Sequence, residues 1–254
     1  MTRSNPKWLR AYANGYDLGS YVSSAGQFGY STDSPMVASL TDAVKNTILG
    51  QISVECGAIN AFLSPVAAGS VGFHELFKSS GVITDLLLAM GTQAIPAVGD
   101  YVFAYKFLQS SYKQGGDGVI GVNIEFPGAA NGASTAYIPF GLLVHANGAE
   151  TGANTAVGTI DNTAASTAGG VFCYQLLSSN GTCTLSIDDS ATNANNADFS
   201  ALSGATSGSI DASTTPKSGF ISLATTATVR RYLRWQLALG TATTATFVTA
   251  FIRG

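Results

Sequence analysis

The chain is 254 residues long, 46% apolar but only 11% charged, with a formal net charge of −3 at neutral pH. That length allows one large β domain or two small ones with full cores, and the acidic balance argues against a dedicated nucleic-acid binder, which carries a basic face. Charges are scarce against the roughly 25% of ordinary soluble proteins, which points to a surface covered largely by copies of itself.

Residues 1–11 read as a basic arm, with Arg3, Lys7 and Arg10 around Trp8, an aromatic suited to docking on a neighbouring subunit. From Tyr12 an Asn14-Gly15 turn signal leads into short β-like pieces. Met36–Leu40 and Ile52–Leu63 read as strands, the second with Ile52, Val54, Cys56 and Ala58 alternating with polar or small partners. Between them, Leu40–Gly50 imitates a capped helix, with Ser39 and Asp42 as a capping box and Gly50 as a C-cap. Its β-branched Thr41, Val44, Thr47 and Ile48 instead favour a long loop between paired strands.

One helix is expected, Val71–Ser79, where Ser70 caps, Phe73, Leu76 and Phe77 form an apolar stripe and Gly81 stops the chain. Strands follow at Ile83–Ala89 (or a second short helix), Tyr101–Ser110 and Val119–Phe126, with Gln114–Gly118 turning the chain between the last two. Pro127–Gly170 shifts to Gly, Ala, Asn and Thr around one apolar patch, Tyr137–His145, and marks a boundary between units 1–127 and 128–254. Beyond it lie strands at Val171–Leu177 and Thr182–Ile187 around an Asn180-Gly181 hairpin turn, then a polar loop Asp188–Asn196 and a strand Ser218–Leu223. The closing pair, Val229–Leu239 and Thr246–Ile252, reads as a hairpin with Trp235 in the core. Short strands separated by turn signals imply a mostly β fold: a sandwich or barrel with one short helix, then a second β-sandwich unit.

Little in the chain carries chemistry. His74 and His145 have no Cys or carboxylate at metal-ligand spacing and read as structural. Asp188–Asn196 resembles a loose calcium loop but lacks its spaced carboxylates, so it reads as a solvated turn. Cys56, Cys173 and Cys183 are too few and scattered for a disulfide framework, and read as free buried thiols. No phosphate-binding loop, nucleophile elbow or dinucleotide fingerprint occurs, so neither enzymatic activity nor a cofactor or metal is expected. The start, MTRSNPKWLR, lacks the apolar region of a signal peptide, and no apolar run approaches the ~20 residues of a membrane span.

Acids stop at Asp211, whereas Lys217, Arg230, Arg231, Arg234 and Arg253 remain. Strand parity puts Arg230 and Arg234 on one face and Arg231 on the other, which a phosphate-tracking groove would not want. Arg230 and Arg234 are therefore assigned to an interface, and Arg231 to a rim or an acidic partner.

In order along the chain, several short motifs accumulate. Tyr12–Leu18 is a Tyr-x-x-Gly-Tyr-Asp-Leu entry, followed by Ser23–Gly26, Thr41–Lys45 with Ile48–Gly50, Phe62–Pro65 and the helix around His74. Gly115–Gly118, Ser209–Asp211, Ala227–Arg234 and the ending at Phe251 and Arg253 complete them. Together they resemble the major tail (tail tube) proteins of long-tailed bacteriophages. The resemblance implies a virion structural protein that stacks as rings into a hollow tube and conducts genomic DNA during ejection. In such proteins a sheet from each subunit joins a barrel round the lumen, a helix packs outside it, and an arm and a long loop reach the next ring. Here the arm is Thr2–Trp8, with Arg3, Lys7 and Trp8; the loop is Leu40–Gly50, with Leu40, Asp42, Lys45 and Ile48; the helix is Val71–Ser79. Implied partners are further copies (a ring of six, or of three if the halves are tandem tube modules), other tail proteins (tape measure, terminator and tip) and passing DNA, with no membrane. The expected location is the virion tail, after assembly in the host cytoplasm. The alternative is a carbohydrate- or receptor-binding sandwich, with Tyr174, Tyr232 and Trp235 as an exposed platform, or a capsid decoration protein.

Overall fold

The computed structural model describes residues 9–19, 21–32, 36–37, 46–47, 52–62, 73–79, 81–91, 93, 95–115, 121–126, 137–154 and 160–254. The chain opens with β1 (Leu9–Ala13), β2 (Tyr16–Asp17), β3 (Val22–Ala25), β4 (Phe28–Thr32), β5 (Met36–Val37), β6 (Asn46–Thr47) and β7 (Ile52–Phe62). Helix α1 (Phe73–Phe77) precedes β8 (Ile83–Met90), β9 (Tyr101–Leu108), β10 (Ser111–Gly115) and β11 (Gly121–Phe126). Then come β12 (Phe140–Glu150), β13 (Ile160–Asp161), β14 (Gly170–Ser179) and β15 (Thr182–Ser190). A single 3-10 turn, Asn196–Asp198, leads to β16 (Ser200–Thr206), β17 (Ile210–Asp211), β18 (Lys217–Ser222), β19 (Tyr232–Leu239) and β20 (Ala245–Arg253). The fold is mostly β, built of antiparallel sheets, with α1 the one α-helix among the described residues.

An eight-stranded sheet in the order β18-β14-β20-β12-β9-β8-β1-β2 draws four strands from each side of residue 128. Strand β9 joins β12 through Phe103–Phe140, Val102–Gly141 and Tyr101–Leu142. The sheet curls over on itself, bringing β14 and β18 against β8 and the β1–β2 turn. Gly15 N–H donates to Gln175 Oε1 at 2.6 Å, Gln175 Nε2 donates to the Asp85 carbonyl at 2.9 Å, and Ser218 Oγ to Asp85 Oδ2 at 2.8 Å. The inner face is filled by side chains from both sides, among them Tyr12, Leu87, Val102, Leu143, Val248 and Ile252, all buried. Strongly curled sheets fill their concave face in this way.

The outer face is covered twice. A sheet ordered β10-β11-β7-β3, with β4 also on β7, packs over β1, β8 and β9 around Phe103, Phe107 and Ile59. A second, ordered β13-β19-β15-β16, packs over β14 and β20 around Phe172, Leu185, Trp235 and Phe247. Trp235 is buried as expected, edge-on to Phe247 with centroids 5.4 Å apart.

Four sequence expectations are corrected here. The closing pair is no hairpin, because β19 lies in an outer sheet and β20 in the large one. Asn180-Gly181 is no hairpin turn either, since β14 and β15 belong to different sheets. Both connections are corners of the same sandwich, and they interlock. Asn180 Oδ1 accepts the Thr243 N–H at 2.8 Å, Thr182 N–H donates to Thr241 Oγ1 at 2.9 Å, and Thr241 N–H donates to Thr182 Oγ1 at 3.0 Å. In β7 the alternation flips, with Val54 and Cys56 buried and then Ile59 and Ala61. The flip sits where β3 hands over to β4 and backbones approach closely: a Cβ on Gly57 would lie 2.9 Å from the Gln27 carbonyl oxygen. Finally, Leu9–Ala13 belongs to a paired strand, not to a free arm, with Leu9 opposite Met90 and Ala13 opposite Leu86.

Candidate functional surface

Every large apolar side chain exposed among the described residues falls between Tyr30 and Phe140. Tyr30 and Phe62 lie on the first outer sheet. Ile83 and Leu108 are cross-strand partners at one end of the β8–β9 ribbon. Ile95, Val98, Tyr101, Ile138 and Phe140 belong to the other end or the segments beside it. The strands after Phe140 have completed their own core, whereas those before it leave apolar surface over. Lone exposed apolar groups are ordinary; a one-sided distribution of them in a charge-poor chain is not.

At the second of these ends a pocket of about 340 Å³ opens on the outer face of the large sheet. Its floor runs from Phe140, whose ring lies 5.3 Å from Phe103 in one core, to Leu142 and Phe251, which pack in the other. One wall is the segment Asp161–Thr163. Asp161 accepts two hydrogen bonds from Arg231, both at 2.6 Å, and this pair holds its carboxyl below the usual carboxylate range. Thr163 sits at φ 66°, rare for a β-branched residue, with its N–H on Asp161 Oδ1 at 2.7 Å. Sequence reasoning missed this site, because its residues come from four strands and only the ending at Phe251 and Arg253 drew notice.

Of the sequence-assigned contact residues, Arg3, Lys7, Trp8, Leu40, Asp42, Lys45 and Ile48 lie outside the described residues. Arg230 and Arg234 are both engaged within the chain. Arg230 Nε donates to Asp189 Oδ1 at 2.9 Å and its backbone N–H to Asp189 Oδ2 at 2.7 Å. Arg234 is buried, donating to Asp188 Oδ2 from Nη2 at 3.0 Å and from Nε at 3.2 Å, with its guanidinium 4.4 Å from the Phe199 ring centroid. Arg231 has the acidic partner foreseen for it, Asp161. The strand face that parity assigned to an interface is roofed at Arg234 by the turn after β15, and Asp188–Ser190 end that strand instead of opening a loop.

Both histidines are packed into the structure. His145 stacks on Phe247 at 4.2 Å, bonds the Phe247 carbonyl through Nδ1 and meets Glu150 through Nε2, both at 3.1 Å. Burial is the larger influence on it and pulls its pKa down. His74 Nδ1 lies 2.6 Å from Tyr112 Oη, tying α1 to β10. The three cysteines are free and buried, and burial pushes the Cys56 thiol up to about 12. Of the aromatics offered as an exposed platform, Tyr174 and Trp235 are buried, and Tyr232 is half-buried with the Arg231 guanidinium 4.9 Å from its ring centroid.

No family model and no curated protein matches the chain. Among solved structures it is similar to the SPP1 Dit (gp 19.1) protein, described as a paradigm of the hub adsorption apparatus in phages infecting Gram-positive hosts. The identity is 13%, over 96% of this chain and 99% of that one, with a TM-score of 0.29. A likeness of that size passes neither a fold nor a function from one chain to the other.

Proposed function

We propose that the chain is a non-enzymatic structural subunit of a virion tail, a tail tube protein that assembles with copies of itself into stacked rings around a DNA conduit. The observation that carries this reading is the one-sided exposure of apolar side chains between Tyr30 and Phe140. A subunit with several neighbours needs several sticky faces, and this half offers them on an outer sheet and at both ends of one strand ribbon. The scarcity of charge and the motifs shared with tail tube proteins support the same reading. A net charge of −3 also suits a conduit through which DNA slides without binding.

The test is light scattering and negative-stain microscopy on the purified full chain. Rings or tubes are expected, with the symmetry deciding between six subunits and three. The double variant Ile83→Asp/Leu108→Asp changes only exposed side chains; it is expected to keep its melting temperature and lose assembly. A strict monomer at the highest soluble concentration, inert towards other tail components, would overturn the proposal.

A further inference from the structure

Five arginines fall among the described residues, and four of them face an aspartate: Arg10 with Asp17, Arg230 with Asp189, Arg231 with Asp161 and Arg234 with Asp188. Arg253 does not. Among the described residues its guanidinium makes one hydrogen bond, from Nη1 to the Asn162 carbonyl at 3.1 Å. Arg253 Nε and Asn162 Nδ2 have no acceptor. Both residues line the 340 Å³ pocket described above. The acid on that pocket, Asp161, already spends both carboxylate oxygens on Arg231. With the other four described arginines each on an aspartate, this leaves a partly desolvated cation beside a cavity, with no ion-pair partner among the described residues. The Arg253 Nε and Asn162 Nδ2 donors are sealed from solvent, but Arg253 itself lines the pocket, and an anion bound there can meet the charge that no aspartate does.

The rest of the pocket narrows what that acceptor is attached to. Tyr101 is the most exposed large apolar side chain among the described residues, at 67%, and Phe140 beside it is 37% exposed. They offer an aromatic platform that a flat ring can cover. Opposite them the wall is polar, with Asp161, Asn162 and Thr163. An aromatic acid would use the platform and the cation but leave that wall idle, whereas a ring bearing hydroxyls uses all three. The volume is at the small end of ligand sites, fit for a compact ring rather than a peptide strand. The position also fits, since pockets favour places where two packed units meet, and this floor passes from one outer core to the other.

We propose that this pocket is a binding site for a carboxylated sugar of the uronic acid type, its ring on Tyr101 and Phe140, its carboxylate on Arg253, and its hydroxyls against Asn162 and Thr163. Tyr101 and Phe140 belong to the exposed apolar set on which the tail tube reading rests, so binding is measured on the unassembled Ile83→Asp/Leu108→Asp chain, where its failure is distinct from a failure to assemble.

The experiment titrates that full-length variant with D-glucuronate, D-glucose and benzoate, followed by ligand-observed NMR and calorimetry. Glucuronate is expected to bind at least about tenfold more tightly than glucose, which lacks the charge-assisted bond, and more tightly than benzoate, which lacks the hydroxyls. Arg253→Gln is expected to weaken glucuronate about tenfold and leave glucose unchanged. Tyr101→Ala, which alters a mostly exposed side chain and is expected to keep the wild-type melting curve, should weaken both sugars about tenfold. No saturable glucuronate signal, equal affinity for glucose, tighter binding of benzoate, or an unaffected Tyr101→Ala variant would each overturn the assignment.

Discussion

Arg234 shows how a residue that looks like a surface cation ends in a core. Its strand neighbours Leu233 and Trp235 face inward, so parity sends Arg234 outward, yet the turn at Asn196–Asp198 and Phe199 close over it. Its side chain is only 6% exposed and that of Asp188 13%. A buried pair of this kind adds little net stability over an apolar pair of the same shape, but removing one partner strands the other charge. Arg234→Met alone is therefore expected to cost about 3 kcal/mol, and Arg234→Met/Asp188→Leu to recover much of that loss. Urea titration of the two variants checks this. A single variant that costs as little as an exposed ion pair, under about 1 kcal/mol, would mean the roof over β19 opens in solution.

At the scale of elements, the sharpest local device is the β1–β2 turn, with Asn14 at φ 51° and Gly15 at φ 84°. Positive φ at both central residues is what a two-residue hairpin asks for. The same glycine also sits where the large sheet curls over on itself. A Cβ on it would lie 2.6 Å from Pro216 Cβ and 2.8 Å from the Lys217 nitrogen, and its N–H is the one on Gln175. Gly15→Ala should thus combine backbone strain with overpacking, costing about 2 kcal/mol or more and lowering the melting temperature by roughly 4–8 °C. Gly29→Ala is the control, because a Cβ there meets nothing within 4 Å; an equal loss in both would refute a seam-specific role for Gly15. This turn was legible because its signal is local, as were the Phe73–Phe77 helix and the apolar strands Ile83–Met90 and Tyr101–Leu108. Strands β10 and β16 were not, because SYKQG and SALSGAT carry no apolar alternation and owe their conformation to pairing. Asn180-Gly181 announces a reversal but not which sheet the next strand joins. The pairings of Arg230, Arg231 and Arg234 bring together residues 41 to 70 positions apart, and the Tyr101–Arg253 pocket spans most of the chain, so neither left a local pattern to read.

For the whole molecule, the shared sheet sets how the chain comes apart. The two outer sheets divide near residue 128, but the inner-face core does not. Tyr12, Leu87 and Val102 from one side interlock with Leu143, Val171, Val248 and Ile252 from the other. A fragment 128–254 would leave those last four without their partners. Fully exposing such side chains costs about 1.5–3 kcal/mol each, so about 6–12 kcal/mol together. The net stability of an ordinary domain is itself about 5–15 kcal/mol. The fragment would also bare the β12 edge that β9 pairs, a row of unmatched backbone groups open to aggregation. We therefore expect the full chain to unfold in one transition, with far-UV circular dichroism and tryptophan fluorescence following the same urea curve. The isolated fragment is expected to show no cooperative transition at all. Two separated transitions in the full chain, or a fragment that melts cooperatively as a monomer, would show that each outer sandwich can hold its half of the large sheet unaided.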